Sequence, residues 1–332
     1  MRAGLVILAL CGLAAAVGMI AYNDAGLVVG MLLSQGRGLA MIVSFHAVPL
    51  VIAAIAWWVV ANPEWRGRWG IFLWARVLRE AVNDLLPLAQ VGGPFASARV
   101  LVVHGVPIGP ATGSLVVDLT SEVLSQVVFA FLGLALLAAV GGAPETLRWG
   151  LIGVSLMLVA VMGFVAAQRF GLIRLLDRAV SAMMRHWSGV ERPAFADLHA
   201  IVWRVYARRR RVAVGFALHV VCWAIGTGEV WLALRFLGHP VSLEAAFIIE
   251  SLGQAIRGAA FIVPGGLGVQ EGGFVLLGAA FGIDPQTSLA LSLTKRVREL
   301  SIGLPALLVW HFIEGQRLFG SARLRAPLRS AD

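Results

Sequence analysis

Residues 250–273 read ESLGQAIRGAAFIVPGGLGVQEGG, a mostly apolar stretch that carries charges and is interrupted by proline and glycine. Glu250, Gln254 and Arg257 follow the spacing i, i+4, i+7, so on a helix they form one polar stripe along an otherwise apolar rod. In a soluble protein such a stripe would simply face water. The composition of the whole chain removes that interpretation.

The composition places the chain in a lipid bilayer. Of its 332 residues, 59% are hydrophobic and only 14% are charged, and the mean hydropathy is +0.85. Apolar runs of about 20 residues, enough to span about 30 Å of hydrocarbon as a helix, recur from end to end. We therefore expect an all-α fold, a polytopic integral membrane protein with about 8 membrane-spanning helices and one or two re-entrant or broken helices.

The net charge of +9 is scattered between the apolar runs, which is typical of Lys and Arg retained in cytoplasmic loops. No nucleic-acid-binding motif accompanies it, so nucleic acid is not an expected partner. The only cysteines, Cys11 and Cys222, lie inside apolar runs and predict neither a disulfide framework nor a zinc site.

Apolar runs and arginines together predict the topology. The interval 169–211 holds ten arginines and ends in four in succession, which indicates a cytoplasmic loop. Arg2 and the arginines of the tail, 317–332, predict that both termini are cytoplasmic as well. The integral membrane domain is thus expected over 1–316. Its candidate membrane segments are 3–22, 39–60, 69–90, 97–117, 119–140, 149–168, 212–236, 244–263, 267–282 and 286–313.

The two halves of the chain share a plan. Residues 74–94 place Arg79, Glu80 and Asn83 on one helical face and then meet a Pro/Gly break, just as the stripe of 250–257 does. Duplicated broken helices in corresponding halves are the sequence-level sign of a transporter site at a repeat interface. The pattern favours an inverted repeat. The residues of the two breaks are Pro87, Gly92, Gly93, Pro264, Gly265, Gly266 and Gly268.

Segment 267–282 is too short and too polar for a comfortable straight span, because it has about 16 residues and contains Glu271. It predicts a re-entrant hairpin or a discontinuous helix. Backbone groups freed by such a break are tolerated at membrane depth only where protein or a water-filled cavity surrounds them. The break therefore implies a cavity.

Two further segments carry polar faces. Asp118 and Glu122 are spaced i, i+4 on one of them, and Lys295, Arg298 and Glu299 lie in the middle of the last segment. A charged group at the centre of a membrane helix costs about 2.5–3.5 kcal/mol on insertion scales. Such groups either line a pathway or form structural ion pairs, and the charges of the last segment are either intramembrane or juxtamembrane. The sequence leaves these alternatives open.

The sequence offers few residues that could form an enzyme active site. His46, His104, His219 and His311 are scattered without metal-ligand spacing, and the chain has no HExxH, GxSxG or phosphate-binding GxxxxGK[ST] motif. We expect no enzymatic activity, no metal and no cofactor.

Residues 263–272, VPGGLGVQEG, resemble the signature of the flippase-like membrane domain of the lysylphosphatidylglycerol synthase family. The stretches NDLLP at 83–87 and KRVREL at 295–300 are most similar to the branch of that family associated with hopanoid biosynthesis. The resemblance covers nearly the whole chain. Synthase members also carry a soluble aminoacyl-transfer domain, whereas this chain ends shortly after its last apolar segment, so lipid aminoacylation by this chain alone is not expected.

The resemblance implies a lipid translocase or lipid-trafficking protein of the bacterial inner membrane, with a hopanoid or a phospholipid as its partner. Its polar groups would line a cavity that shelters a headgroup. Two other hypotheses stay open: a non-catalytic scaffold that recruits lipid-biosynthetic enzymes through 169–211, and an intramembrane lipid-modifying transferase. The predicted cavity residues are Arg79, Glu80, Asn83, Asp118, Glu122, Glu250, Gln254, Arg257, Glu271, Arg298 and Glu299.

Overall fold

The computed structural model is helical throughout the part of the chain that it describes, with no strand there. Because isolated polar backbone is costly in lipid, helices are the expected solution for so apolar a chain. The described residues are 2–61, 63–86, 92–141, 144–170, 198–260 and 263–324.

The N-terminal helices are apolar and sharply bent. They are α1 (Arg2–Tyr22), α2 (Ala25–Ser34), α3 (Arg37–Phe45) and α4 (Ala47–Val60). The axes of α1 and α2 meet at 91°, so the first apolar run does not continue as one straight rod. Asp24 forms the corner with a left-handed φ of 61° and caps α2 by accepting the Leu27 N–H at 3.1 Å. Only His46 separates α3 from α4.

The first broken hairpin consists of α5 (Trp69–Leu85) and α6 (Gly92–Val103), and a short 3₁₀ turn precedes it. The long helix α7 (Ile108–Ala139) follows it. The separate segments predicted over 97–117 and 119–140 are therefore wrong. The chain turns at Gly105, which has a φ of 88°, and not at Asp118, whose charge is buried and paired inside α7 instead of marking a helix end.

The remaining helices include the second broken hairpin, residues 243–279, whose two helices flank the break at 264–268. They are α8 (Pro144–Phe170), α9 (Leu198–Tyr206), α10 (Arg209–Phe236), α11 (Leu243–Ala259), α12 (Val269–Ala279) and α13 (Pro285–Leu324). The 11 residues of α12 rise only about 16 Å as a helix, as a discontinuous helix would. The 40 residues of α13 run without interruption through Pro305. Lys295 and its neighbours on α13 thus lie well inside a helix.

Among the described residues, three helical stretches are long and apolar enough to cross a bilayer: α3 with α4, α7, and α10. The bent pair of α1 and α2 would make a fourth if it counts as one span. Helix α6 and the apolar part of α8, Leu147–Gly163, are shorter. A total of about 8 spans stays a prediction.

Each hairpin has its own apolar core. Trp57, Phe72 and Leu101 are buried together in the first half, and Ile248 and Leu277 belong to a second cluster to which α7, α8, α10, α11, α12 and α13 contribute. The polar faces of α5 and α11 are left between the two cores. They meet directly, because Arg257 of α11 lies 2.7 Å from Asp84 of α5.

The break before α12 depends on glycine and is covered by α1. Gly265, Gly266 and Gly268 have φ values of 61°, 61° and 78°, in the left-handed region that only glycine enters at low cost. A Cβ on Gly268 would approach Ala15 to 3.0 Å. The predicted break at Pro87 lies outside the described residues, while Gly92 and Gly93 open α6.

Candidate functional site

A cavity of about 570 Å³ lies between the two hairpins. Charged side chains of α5, α7, α10, α11 and α13 line it. Apolar side chains of α6, α7 and α8 also line it, among them Phe95, Leu119 and Ala160. The cavity is therefore amphipathic.

The structure brings most of the predicted site residues together. They come from four helices that are far apart in sequence, and they meet because the polar faces of both hairpins turn towards each other. The predicted residues that line the cavity are Arg79, Glu80, Asn83, Glu122, Glu250, Gln254, Arg257 and Arg298.

Asp118 and Glu299 lie behind this lining and hold the lining arginines in place. Asp118, which is fully buried, accepts from Arg79 at 3.1 Å and contacts Nε2 of His219 at 2.9 Å. Glu299 accepts from Arg257 at 2.8 Å. Both carboxylates therefore orient cations from behind the cavity wall.

Glu271 also lies outside the lining, where it supports the break. Its Oε2 accepts the Gly268 N–H at 2.7 Å, which caps the start of α12. Its Oε1 accepts from Arg296 at 3.2 Å and from the hydroxyl of Ser292 at 3.1 Å. Arg296 also donates to the Gly265 carbonyl at 2.6 Å. Glu271, the acidic residue of the signature segment, thus stabilises the backbone of the break.

On the first-half side, two arginines clamp one carboxylate. Arg76 and Arg79 of α5 each lie 2.7 Å from Glu122 of α7. Arg76 also pairs with Glu80, one turn along α5, at 2.8 Å. The two arginines contact different oxygens of Glu122, and these charge-assisted hydrogen bonds keep both arginine side chains in fixed positions at the cavity wall.

On the second-half side, charges of α13 face those of α11. Lys295 lies 2.8 Å from Glu250, and its side chain is only 4% exposed. The charges in the middle of α13 are therefore enclosed by protein, while their placement within the membrane or next to it stays a prediction. Gln254 donates to Glu250 at 2.9 Å and completes the stripe.

Sequence reasoning missed two groups at the centre of the site, His46 and Glu229. Nδ1 of His46 lies 3.0 Å from Glu229 of α10, and Nε2 lies 3.3 Å from Glu80. Glu229 also contacts Nε of Arg298 at 3.0 Å. His46 stands at the turn between two apolar helices and Glu229 is the only acid on α10, so no stripe points to either. A lone acid within the apolar run 212–236 was the available signal.

Buried ion pairs of this kind are costly to desolvate and are weak evidence of stability by themselves. Removing one partner is far worse, because the other charge is left uncompensated in a low dielectric. So dense a set of paired charges around a cavity is typical of a polar pathway in a membrane protein.

Within the described part of the chain, no group of three or more His, Cys, Asp or Glu side chains is placed to hold a metal ion. The Cys222 thiol donates to the Pro49 carbonyl at 3.1 Å. Of the basic interval 169–211, residues 171–197 lie outside the described ranges, as do 325–332 of the tail. The scaffold hypothesis based on that interval stays a prediction.

The apolar helices and the enclosed charges define a multi-pass membrane protein with an amphipathic internal cavity. The family model described as the lysylphosphatidylglycerol synthase TM region matches residues 3–306. The chain belongs to this family, which indicates a function related to membrane lipids. No curated protein and no solved structure matches the chain at a significant level.

Proposed function

We propose that this protein is a lipid translocase or lipid-trafficking protein of the bacterial inner membrane, which takes the headgroup of a hopanoid or a phospholipid into the cavity between its two hairpins. The proposal does not include a covalent step on the lipid, and the protein is proposed not to be an enzyme.

The observation that carries the proposal is the amphipathic cavity of about 570 Å³. A lipid has a polar end and an apolar end, and the charged and apolar side chains of the cavity lining correspond to them. Ligand sites that bury most of a small molecule commonly measure about 300–1,000 Å³. The cavity is thus of the size that a headgroup with part of its apolar body requires.

The charged side chains offer both signs to a headgroup. Arg76 and Arg257 provide guanidinium groups that match phosphate or hydroxyl oxygens, and Glu250 provides an acceptor for hydroxyl or amine donors. Because each charge already has a protein partner, a headgroup would exchange partners with these groups instead of meeting bare charges. Such exchange keeps the desolvation cost low in both the empty and the occupied state.

Membership of the family supports a role with membrane lipids. The hopanoid branch is the finer part of the proposal and rests on the resemblance of 83–87 and 295–300. Duplicated broken helices further support transport, since discontinuous helices at a repeat interface commonly form the substrate site of transporters.

The first test fills the cavity without touching a charge. Gly226 of α10 lines the cavity, and a Cβ there would meet no atom within 4 Å. Gly226→Trp should therefore place an indole in the open space without forcing the backbone. We expect at least a tenfold loss of lipid movement, measured in proteoliposomes by dithionite quenching of a tail-labelled phosphatidylglycerol and, in parallel, of a labelled polyhydroxylated hopanoid.

Gly163→Trp is the matched control. Gly163 lies on the exposed side of α8, is also helical and also has open space at its Cβ position. This variant should move lipid like the wild type. If the wild-type protein moves neither lipid, or if both tryptophan variants move lipid equally fast, the translocase proposal fails. A difference between the two labelled lipids decides the substrate class.

A further inference from the structure

The buried ion pairs of the described residues form two clusters. The first consists of Arg76, Arg79, Glu80, Asp118, Glu122 and His219. The second consists of Asp84, Glu229, Glu250, Arg257, Glu271, Lys295, Arg296, Arg298 and Glu299.

His46 is the single ion-pair link between these clusters within the described ranges. Its Nε2 lies 3.3 Å from Glu80 of the first cluster, and its Nδ1 lies 3.0 Å from Glu229 of the second. The residue occupies the turn between α3 and α4 and lines the cavity. A group that joins the two clusters is therefore also in reach of a bound headgroup.

The charges of the two clusters do not balance. With neutral histidines, the first cluster has three carboxylates and two arginines, and the second has five carboxylates and four Lys or Arg side chains. Each cluster thus carries one surplus negative charge. A protonated His46 would sit between two clusters that each carry a surplus negative charge, whereas a neutral His46 leaves both surplus charges uncompensated.

The groups that face His46 act in both directions. Glu80 of α5 and Glu229 of α10 favour the protonated ring, because each accepts from one ring nitrogen. Arg298 of α13 opposes it, since its Nη1 lies 2.8 Å from Nε2 and 3.1 Å from Nδ1. Lys295 lies 3.9 Å from Glu229 and also opposes protonation.

The remaining charged neighbours are one step further away. Arg76 of α5 holds Glu80, Glu122 of α7 holds Arg76, and Glu299 of α13 lies 3.5 Å from Arg298. Two hydrogen-bonding arrangements are therefore open to four side chains, those of His46, Glu80, Glu229 and Arg298. With His46 protonated, the ring donates to both carboxylates, and Arg298 turns to Glu229 and Glu299. With His46 neutral, Arg298 donates to the ring, and one of the two carboxylates, that of Glu80 or Glu229, loses its hydrogen bond to the ring.

We infer that His46 binds the proton that couples lipid movement to a proton gradient. The inference rests on the proposed function and adds its energy source. The proton comes from the aqueous phase on one side of the membrane, binds to a ring nitrogen of His46 while the two clusters are joined, and leaves to the other side when they part. The guanidinium group of Arg298 stays charged throughout.

The test uses the full-length wild-type protein in proteoliposomes that contain tail-labelled phosphatidylglycerol or the labelled hopanoid, with and without a pH difference of one unit across the membrane. At a stoichiometry of one proton per lipid, the gradient can sustain a lipid asymmetry of up to about tenfold. We expect an asymmetry of several-fold that collapses when a protonophore is added. Internal pyranine should report a proton flux that appears only when lipid moves.

His46→Gln keeps a polar side chain but cannot carry the proton. At whatever rate this variant still moves lipid, it should build no lasting asymmetry and show no lipid-dependent proton flux. The matched control is His311→Gln, because His311 is exposed on α13 and should leave both readings unchanged. His46→Arg provides a second variant with a permanent positive charge, which should also abolish the asymmetry, in case the glutamine variant does not fold.

The outcomes separate the two proposals. If wild-type protein moves lipid but the distribution ignores the pH gradient, the coupling is refuted and the translocase function stands. A folded His46 variant that still builds the asymmetry assigns the proton to another group and overturns the role of His46. If wild-type protein moves no lipid, both the function and the coupling fall.

Discussion

The two broken hairpins are alike in plan and differ in what holds their breaks. In the second hairpin, Arg296 of α13 donates to the Gly265 carbonyl at 2.6 Å and pairs with Glu271, which in turn caps α12. In the first hairpin, the described contact across the break is neutral: the Gly93 N–H donates to the side-chain oxygen of Asn83 at 3.0 Å.

The charges of the two hairpins are correspondingly used for different purposes. Arg76 and Arg79 of α5 line the cavity, whereas Glu271 and Arg296 lie outside the lining and hold the backbone of the break. The difference teaches that a buried charge in this protein can have a structural role within a few residues of one that faces the cavity. It also predicts that the second break is the more firmly anchored of the two.

The largest effect is expected from Arg296→Met. It leaves Glu271 buried without its cation, and losing one partner of a buried pair typically lowers the free energy of unfolding by about 3–5 kcal/mol. Thermal and denaturant unfolding in detergent measure the loss. The control is Arg148→Met, since Arg148 and Glu145 form an exposed pair at 3.9 Å that should contribute at most about 1 kcal/mol. Equal losses in both variants would contradict an anchored second break.

A smaller effect is expected from Gly268→Ala. The left-handed φ of 78° costs an L-residue roughly 1–2 kcal/mol, and the added methyl group would also crowd Ala15 and the Gly12 carbonyl of α1, each at 3.0 Å. Gly238→Ala measures the cost of the positive φ alone, because Gly238 has a φ of 83° but open space around its Cβ position, so the difference between the two variants isolates the crowding. The variant at 268 should be the less stable of the two. If both lose the same stability, α1 does not brace the break.

The smallest effect is expected from Asn83→Ala in the first hairpin. A neutral hydrogen bond contributes about 0.5–1.5 kcal/mol net, so the global unfolding midpoint should move little. Amide hydrogen exchange at the start of α6 should nevertheless become faster, because the Gly93 N–H loses its acceptor. Ser44→Ala removes an exposed hydroxyl that bonds within its own helix and should change neither reading. If Asn83→Ala lowered the free energy of unfolding as much as Arg296→Met, the second break would not be the more firmly anchored of the two.

The sequence predicted the helical membrane fold and much of the polar face because both depend on local patterns. Glu250, Gln254 and Arg257 were found by their i, i+4, i+7 spacing, and all three line the cavity. The pattern failed where a charge lay inside a helix. Asp118 suggested a segment boundary, yet α7 runs through it because His219 and Arg79 satisfy that carboxylate from other helices.

Two residues at the centre of the site could not be found in this way. His46 stands at a turn and Glu229 is a lone acid on α10, so neither repeats at helical spacing. Their importance comes from partners far away in the chain: Glu229 and His46 are 183 residues apart in sequence and 3.0 Å apart in space. A helical repeat in the sequence cannot reveal a contact between two residues that lie so far apart in the chain.

By itself, the sequence determined that this chain lives in a membrane, that it is helical, and where its second hairpin breaks. Apolar run length, helical spacing and the conformational demands of proline and glycine are local properties and can be read along the chain. Only the tertiary structure decided which charges face the cavity, which hold backbone in place, and which residue links the two charge clusters. The reason is that a buried charge acquires its role from the partner that neutralises it, and packing of distant helices selects that partner.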